Sequence, residues 1–131
     1  SKRPHFFRHL HFLLIFRIFL QHFQKRNNWP LRMWYMYEQN VCTLIDVNEQ
    51  ERKVKIRNYT DKIMFRAFGT IDDPDYNDYL EFLESRCFPE SRDKMKLILK
   101  DLGLPFYDPI MIIEKTAGRM AEDDFWIRIE R

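Results

Sequence analysis

Arg86 and Arg92 bracket the pentapeptide Cys87-Phe88-Pro89-Glu90-Ser91, the most chemically pointed feature of the chain. Each guanidinium presents a planar fork of N–H donors that matches a carboxylate or a phosphate. Pro89 imposes an extended or turn geometry between them, so two cations flank a rigid corner near the start of a helix. Two readings follow. One is an internal clamp, closing on Asp123 or Glu122 in the turn before the last strand; the other is an open site for an external acidic or phosphate ligand. The clamp is the simpler, because Glu122, Asp123 and Asp124 otherwise form only a solvated acidic turn.

Other constellations are thinner. His5, His9 and His11 could ligate a transition metal through imidazole nitrogen, but no acid or cysteine accompanies them, and they read as polar-face histidines. Asp72, Asp73, Asp75 and Asp78 resemble a cation cluster, yet turn chemistry and the preference of helix N-termini for acids account for them. Cys42 and Cys87 stand 45 positions apart without a CxxC pair, which fits neither a secreted disulfide scaffold nor a structural zinc site. Two buried free thiols in a reduced, cytoplasmic setting are expected. There is no glycine-rich phosphate loop, no GxSxG elbow and no protein-kinase motif set. The chain therefore reads as non-enzymatic, with no catalytic residue, metal or cofactor. Trp34, Tyr35 and Tyr37 beside basic residues could stack on nucleic-acid bases, a weak reading next to an acidic domain.

At 131 residues with three Gly and six Pro, the chain is one domain's worth of polypeptide and excludes a two-domain enzyme or a low-complexity repeat. Its net charge of +2 conceals a division. Residues 1–32 hold seven Lys/Arg, all four His and no acid, whereas residues 33–131 hold fifteen Lys/Arg against twenty acids. A basic extension is thus expected over 1–32 and an acidic domain over 33–131, with Met33 as the start of an ancestral domain. Six of the twelve Phe fall in residues 6–23. Arg8, His11, His22, Lys25 and Arg26 share one helical side, while Leu13, Phe16, Leu20 and Phe23 largely share the other. An amphipathic helix follows, with Phe12, Phe16, Arg17, Phe19 and Phe23 as candidate contacts. It could pack on its own domain, dock on a partner or lie on an anionic membrane surface. A membrane span is disfavoured because charges and histidines interrupt the apolar run, and no cleavage site follows to mark a secretory signal.

Beyond Val41 the periodicity changes from helix-like to strand-like. Val41–Val47 and Lys53–Tyr59 read as a hairpin, and Ile63/Phe65/Ala67 alternate in an expected third strand. Asp73 and Pro74 carry the cap-and-proline signal of a helix whose buried stripe would be Tyr76, Tyr79/Leu80 and Leu83. Ser91 is the expected cap of a second helix with Met95, Ile98, Leu99 and Leu102 inward, ended by a left-handed Gly103. Asp108-Pro109 opens a third, and Phe125–Arg131 returns as a strand. The expected fold is α+β: a small antiparallel sheet with three short helices and an N-terminal amphipathic helix.

The corner and the end of the chain also resemble a known module, the N-terminal region of HipA-like kinase-fold proteins of Firmicutes, which also occurs as small stand-alone proteins. Its Arg-x-x-Pro-x-Ser-Arg corner corresponds to Arg86, Pro89, Ser91 and Arg92, its Leu-Gly helix end to Leu102 and Gly103, and its Gly-x4-Asp-x2-Trp-Ile segment to Gly118, Asp123, Trp126 and Ile127. The hairpin at 41–58 takes the place of the module's opening hairpin. The resemblance covers residues 41–131; Arg119-Met120-Ala121-Glu122 departs from it, and residues 1–32 have no counterpart. It implies a non-enzymatic protein-interaction module, an accessory or regulatory part of a HipA-like toxin–antitoxin system that docks on a kinase-fold partner through its sheet edge or helices. Two other readings compete: a phage or mobile-element inhibitor that blocks a host nucleic-acid-processing complex such as a nuclease, and a protein attached to a membrane surface through residues 6–23.

Overall fold

The computed structural model describes residues 28–131. Strands β1 (Leu31–Tyr37), β2 (Asn40–Asn48), β3 (Lys53–Asn58) and β4 (Phe125–Glu130) form one antiparallel sheet in the order β3-β2-β1-β4. Helices α1 (Tyr76–Ser85), α2 (Met95–Leu102) and α3 (Pro109–Thr116) fill the connection between β3 and β4. The expected α+β class holds. The expected N-terminal helix, with Phe12, Phe16, Arg17, Phe19 and Phe23, lies outside the described residues.

The central strands β1 and β2 are buried on both faces. Leu31, Met33 and Tyr35 of β1 meet Ile45, Val47 and Ile127 on the inner face, against Tyr79, Phe82 and Leu83 of α1, Leu99 of α2, and Ile112 and Ile113 of α3. Trp34 and Leu44, which pair across β1 and β2, form a second cluster with Val41 and Tyr59. A register shift between Tyr35 and Met36 explains an apparent phase error in β2. Tyr35 opposes Thr43 and Met36 opposes Val41, leaving Cys42 as the extra residue of a bulge. Cys42 consequently joins the inner core while Val41 joins the Trp34 side.

The sequence expectations need correction at four places. First, β1 is a strand that the hairpin reading omits, and it begins at Leu31, so Leu31 and Arg32 belong to the sheet. Second, the expected third strand at 63–67 is instead a 3-10 turn, Ile63–Phe65. Ile63 and Met64 are exposed, at 50% and 80%, while only Phe65 and Ala67 pack partly on the core, and β1 already occupies the second edge of β2. Third, α1 is capped by Asp75 rather than Asp73. The Asp75 carboxylate accepts from Asp78 N at 2.8 Å while Asp78 accepts from Asp75 N at 2.9 Å, a reciprocal box that places buried Pro74 just outside the helix. The buried stripe of α1 is then Tyr79, Phe82 and Leu83, with Leu80 outward. Fourth, Ser91 caps nothing: Lys94, in left-handed conformation at φ 61°, precedes α2 without a side-chain cap, and Ser91 is exposed.

The remaining signals lie where the residue types require. Asp108 accepts from Ile110 N at 3.0 Å and Pro109 occupies the first helical position of α3. Gly103 ends α2 at φ 74°. Gly118, at φ 62°, follows α3 so closely under β4 that an added Cβ would lie 3.1 Å from Ile127 Cδ1. Gly118→Val is expected to lower the unfolding free energy by roughly 2 kcal/mol through left-handed strain and overpacking, as a shifted urea midpoint at unchanged slope would register.

Candidate functional site

Arg86 ends α1 as its C-cap, where the helix stops and the side chain can turn beneath the sheet. Its Nη1 donates to Asp123 Oδ2 at 2.9 Å and its Nη2 to Asp123 Oδ1 at 3.0 Å, a bidentate pair. Nε donates to Gly118 O at 3.0 Å and Nη2 also to Phe125 O at 3.1 Å. One buried guanidinium thereby ties the end of α1 to the loop after α3 and to the start of β4, segments more than thirty residues distant in sequence. The Tyr35 and Phe125 rings, stacked 4.9 Å apart, each lie 6.0 Å from the guanidinium carbon. Arg86 beside Asp123 holds that carboxyl below its ordinary range by hydrogen bonding, and Phe125 N donates to the same carboxylate at 3.0 Å. The internal clamp is what this arrangement can do: its fork is taken by a carboxylate and two carbonyls of the same chain.

The two arginines of the corner part company here. Arg92 is exposed, and its guanidinium lies over the Phe88 ring at 5.9 Å. Pro89 and Ser91 are exposed, and Pro89 O accepts from Arg92 N at 3.0 Å. The corner therefore turns one cation inward and the other outward. Trp126, which opposes Met36 on the Trp34 face of the sheet, is not brought into the Arg86–Asp123 group: its Nε1 donates to Glu38 O at 2.7 Å, and Arg119 stacks over its ring at 4.9 Å. Glu38 N in turn donates to Asp124 O at 3.1 Å, so the acidic turn 122–124 is pinned to the β1–β2 turn.

Several candidate chemistries meet different fates. Cys42 and Cys87 are separate, buried free thiols, and burial pushes each up to about 12. A thiol so far above neutral pH carries almost no thiolate and is a poor nucleophile. A thiol-specific disulfide reagent is expected to leave both untouched in the native protein and to titrate two after unfolding. Trp34 and Tyr35 are buried in β1, and Tyr37 packs edge-on against Phe65 and Phe125, so these aromatics serve the fold rather than a stacking platform. Among the described residues no group of three or more His, Cys, Asp or Glu side chains converges on a common point, and no helix is long and apolar enough to cross a membrane.

Sequence reasoning misses a second buried ion pair. Arg32 Nε donates to Asp46 Oδ1 at 2.7 Å and Nη2 to Asp46 Oδ2 at 3.0 Å, on the face of the sheet that carries Trp34. The available signal is the alternation Leu31/Met33/Tyr35 against Arg32/Trp34/Met36, which marks β1 as a strand and sets Arg32 on one face of it. Comparison with known proteins returns no matching family, no matching curated protein and no matching solved structure.

Proposed function

We propose that the chain is a non-enzymatic protein-interaction module that docks on a HipA-like kinase-fold partner, as an accessory or regulatory part of such a system. The observation that carries the docking role is the segment between β3 and α1. It is fastened to β2 at two points and braced once within itself: Tyr59 N donates to Cys42 O at 2.9 Å and Ala67 N to Thr43 Oγ1 at 3.0 Å, while Arg66 Nε donates to Thr60 O at 2.8 Å. Yet Ile63, Met64 and Ile71 on that segment stand in solvent. Large apolar side chains held in place without a cover are the features that protein contact surfaces use, and methionine adapts its shape to a partner. The kinase-fold identity of the partner rests on the resemblance at Arg86, Pro89, Ser91 and Arg92 and at Gly118, Asp123, Trp126 and Ile127. The internal use of Arg86 favours a partner recognised elsewhere than at the clamp.

Affinity capture from a native lysate with the full chain as bait, read by mass spectrometry, tests this reading. Specific enrichment of a HipA-like kinase-fold protein is the expected result. Enrichment of a nuclease complex in its place would support the mobile-element inhibitor and overturn the kinase reading.

A further inference from the structure

The chain carries six methionines and two cysteines, eight sulfur atoms in all, and every one lies within residues 28–131. Seven are buried or half-buried. Cys42 and Cys87 are buried free thiols; Met33 is fully buried, Met36 packs beside the Trp34 cluster, Met95 and Met111 pack on the inner core, and Met120 is half-buried. Met64 alone is exposed, at 80%. Its position follows from the turn that carries it. Phe65 N donates to Lys62 O and Arg66 N to Ile63 O, both at 3.0 Å, and the Phe65 ring packs on Tyr37 at 4.8 Å and on Phe125 at 5.9 Å. The turn is therefore anchored through Phe65, and the neighbouring thioether is held in water beside exposed Ile63.

We propose that Met64 is a reversible oxidation site: a peroxide converts it to the sulfoxide in the folded protein ahead of every other sulfur, and the sulfoxide releases the partner that the thioether holds. Susceptibility to oxidation follows exposure, which separates Met64 from the other five methionines. Neither cysteine competes, because burial pushes each thiol up to about 12 and almost no thiolate is present near neutral pH. In the step itself a lone pair of Met64 Sδ attacks one oxygen of hydrogen peroxide and the O–O bond breaks. The sulfur is oxidised by two electrons, the attacked oxygen passes its proton to the departing hydroxide, and the peroxide is reduced to one water. Methionine sulfoxide reductase reverses the change at the expense of two thiols, which become a disulfide, with one enzyme for each sulfoxide epimer. The sulfoxide is polar where the thioether was apolar, so it opposes an apolar contact without touching the Phe65 anchor. The effect on docking rests on the contact role proposed above for this segment; the oxidation site does not.

The test treats the full chain with limiting hydrogen peroxide, removes the oxidant, and divides the sample between peptide mapping by mass spectrometry and capture of the kinase-fold partner. The Met64 peptide is expected to gain one oxygen before Met33, Met36, Met95, Met111 or Met120, at an unchanged melting temperature. The oxidised chain should capture the partner about tenfold more weakly, and treatment with both sulfoxide reductases and dithiothreitol should restore capture. In Met64→Leu, capture should be the same before and after peroxide. Oxidation of another methionine first, or of all six at one rate, would overturn the oxidation site. Equal capture by oxidised and untreated wild-type chain, or a peroxide effect that persists in Met64→Leu, would overturn the switch. Failure of the untreated chain to capture any kinase-fold protein would instead refute the docking reading and the switch with it, while the peptide map still decides the oxidation site.

Discussion

Arg86→Met is expected to lower the unfolding free energy by roughly 3–5 kcal/mol, the range for removing one member of a buried charge pair. The loss has two parts. Asp123 loses its bidentate partner, and the carbonyls of Gly118 and Phe125 lose the donors that hold the two ends of the α3–β4 connection together. Asp123 is about one third exposed and can turn to water, so most of the cost falls on the carbonyls and on the packing around Tyr35 and Phe125. Against a total stability of about 5–15 kcal/mol for a typical domain, such a change brings the fold close to unfolding at 37 °C. Asp123→Asn, which leaves both carbonyl bonds in place, is expected to cost less, roughly 1–2 kcal/mol. The pair also carries a pH signature. The folded carboxyl titrates below its ordinary value, so its contribution is present in full above the unfolded value near 3.9 and is lost as pH falls through the lower folded value. Asp123→Asn should flatten that part of the acid-denaturation profile, which urea midpoints between pH 2 and pH 6 would measure.

Asp46→Ala should be comparably severe, about 3–5 kcal/mol, because Arg32 would keep its charge in a buried site with no counter-ion. The double replacement Arg32→Met/Asp46→Leu is expected to recover most of that loss, since a buried ion pair exchanged for well-packed apolar groups is often neutral or stabilising. Equilibrium unfolding of Arg32→Met, Asp46→Leu and the double variant gives the coupling between the residues directly. A double variant no more stable than Asp46→Ala would show that the pair is needed for more than charge balance.

What the sequence made legible follows from how local each signal is. The hairpin of β2 and β3, the Asp108-Pro109 start of α3, the left-handed Gly103 and the final strand depend on residues within a few positions of one another, and each stands where its pattern places it. The Arg86–Asp123 clamp was readable as one of two options because a guanidinium fork matches a carboxylate and the turn that leads into the last strand carries Glu122, Asp123 and Asp124. Illegible features depend on distant partners. Residues 63–67 alternate like a strand, but the place beside β2 is taken by β1, whose alternation of Leu31/Met33/Tyr35 with Arg32/Trp34/Met36 is muted because both sets carry large apolar side chains. Asp73 and Asp75 are equally good caps by type; only the reciprocal bond with Asp78 decides between them. Arg92, equal to Arg86 in the motif, is divided from it by the direction in which the chain leaves Pro89, which composition does not encode.

Arg86 is thus a brace, and the proposed contact with a kinase-fold partner falls on the uncovered segment around Met64. Side-by-side quantitative capture of the kinase-fold partner by the wild-type chain and by Met64→Asp tests this most directly, since an 80% exposed residue can change without unfolding the domain and removal of a central apolar contact typically weakens an interface about tenfold or more. The account predicts that loss at unchanged melting temperature. Capture of the same partner with equal affinity by Met64→Asp would contradict it.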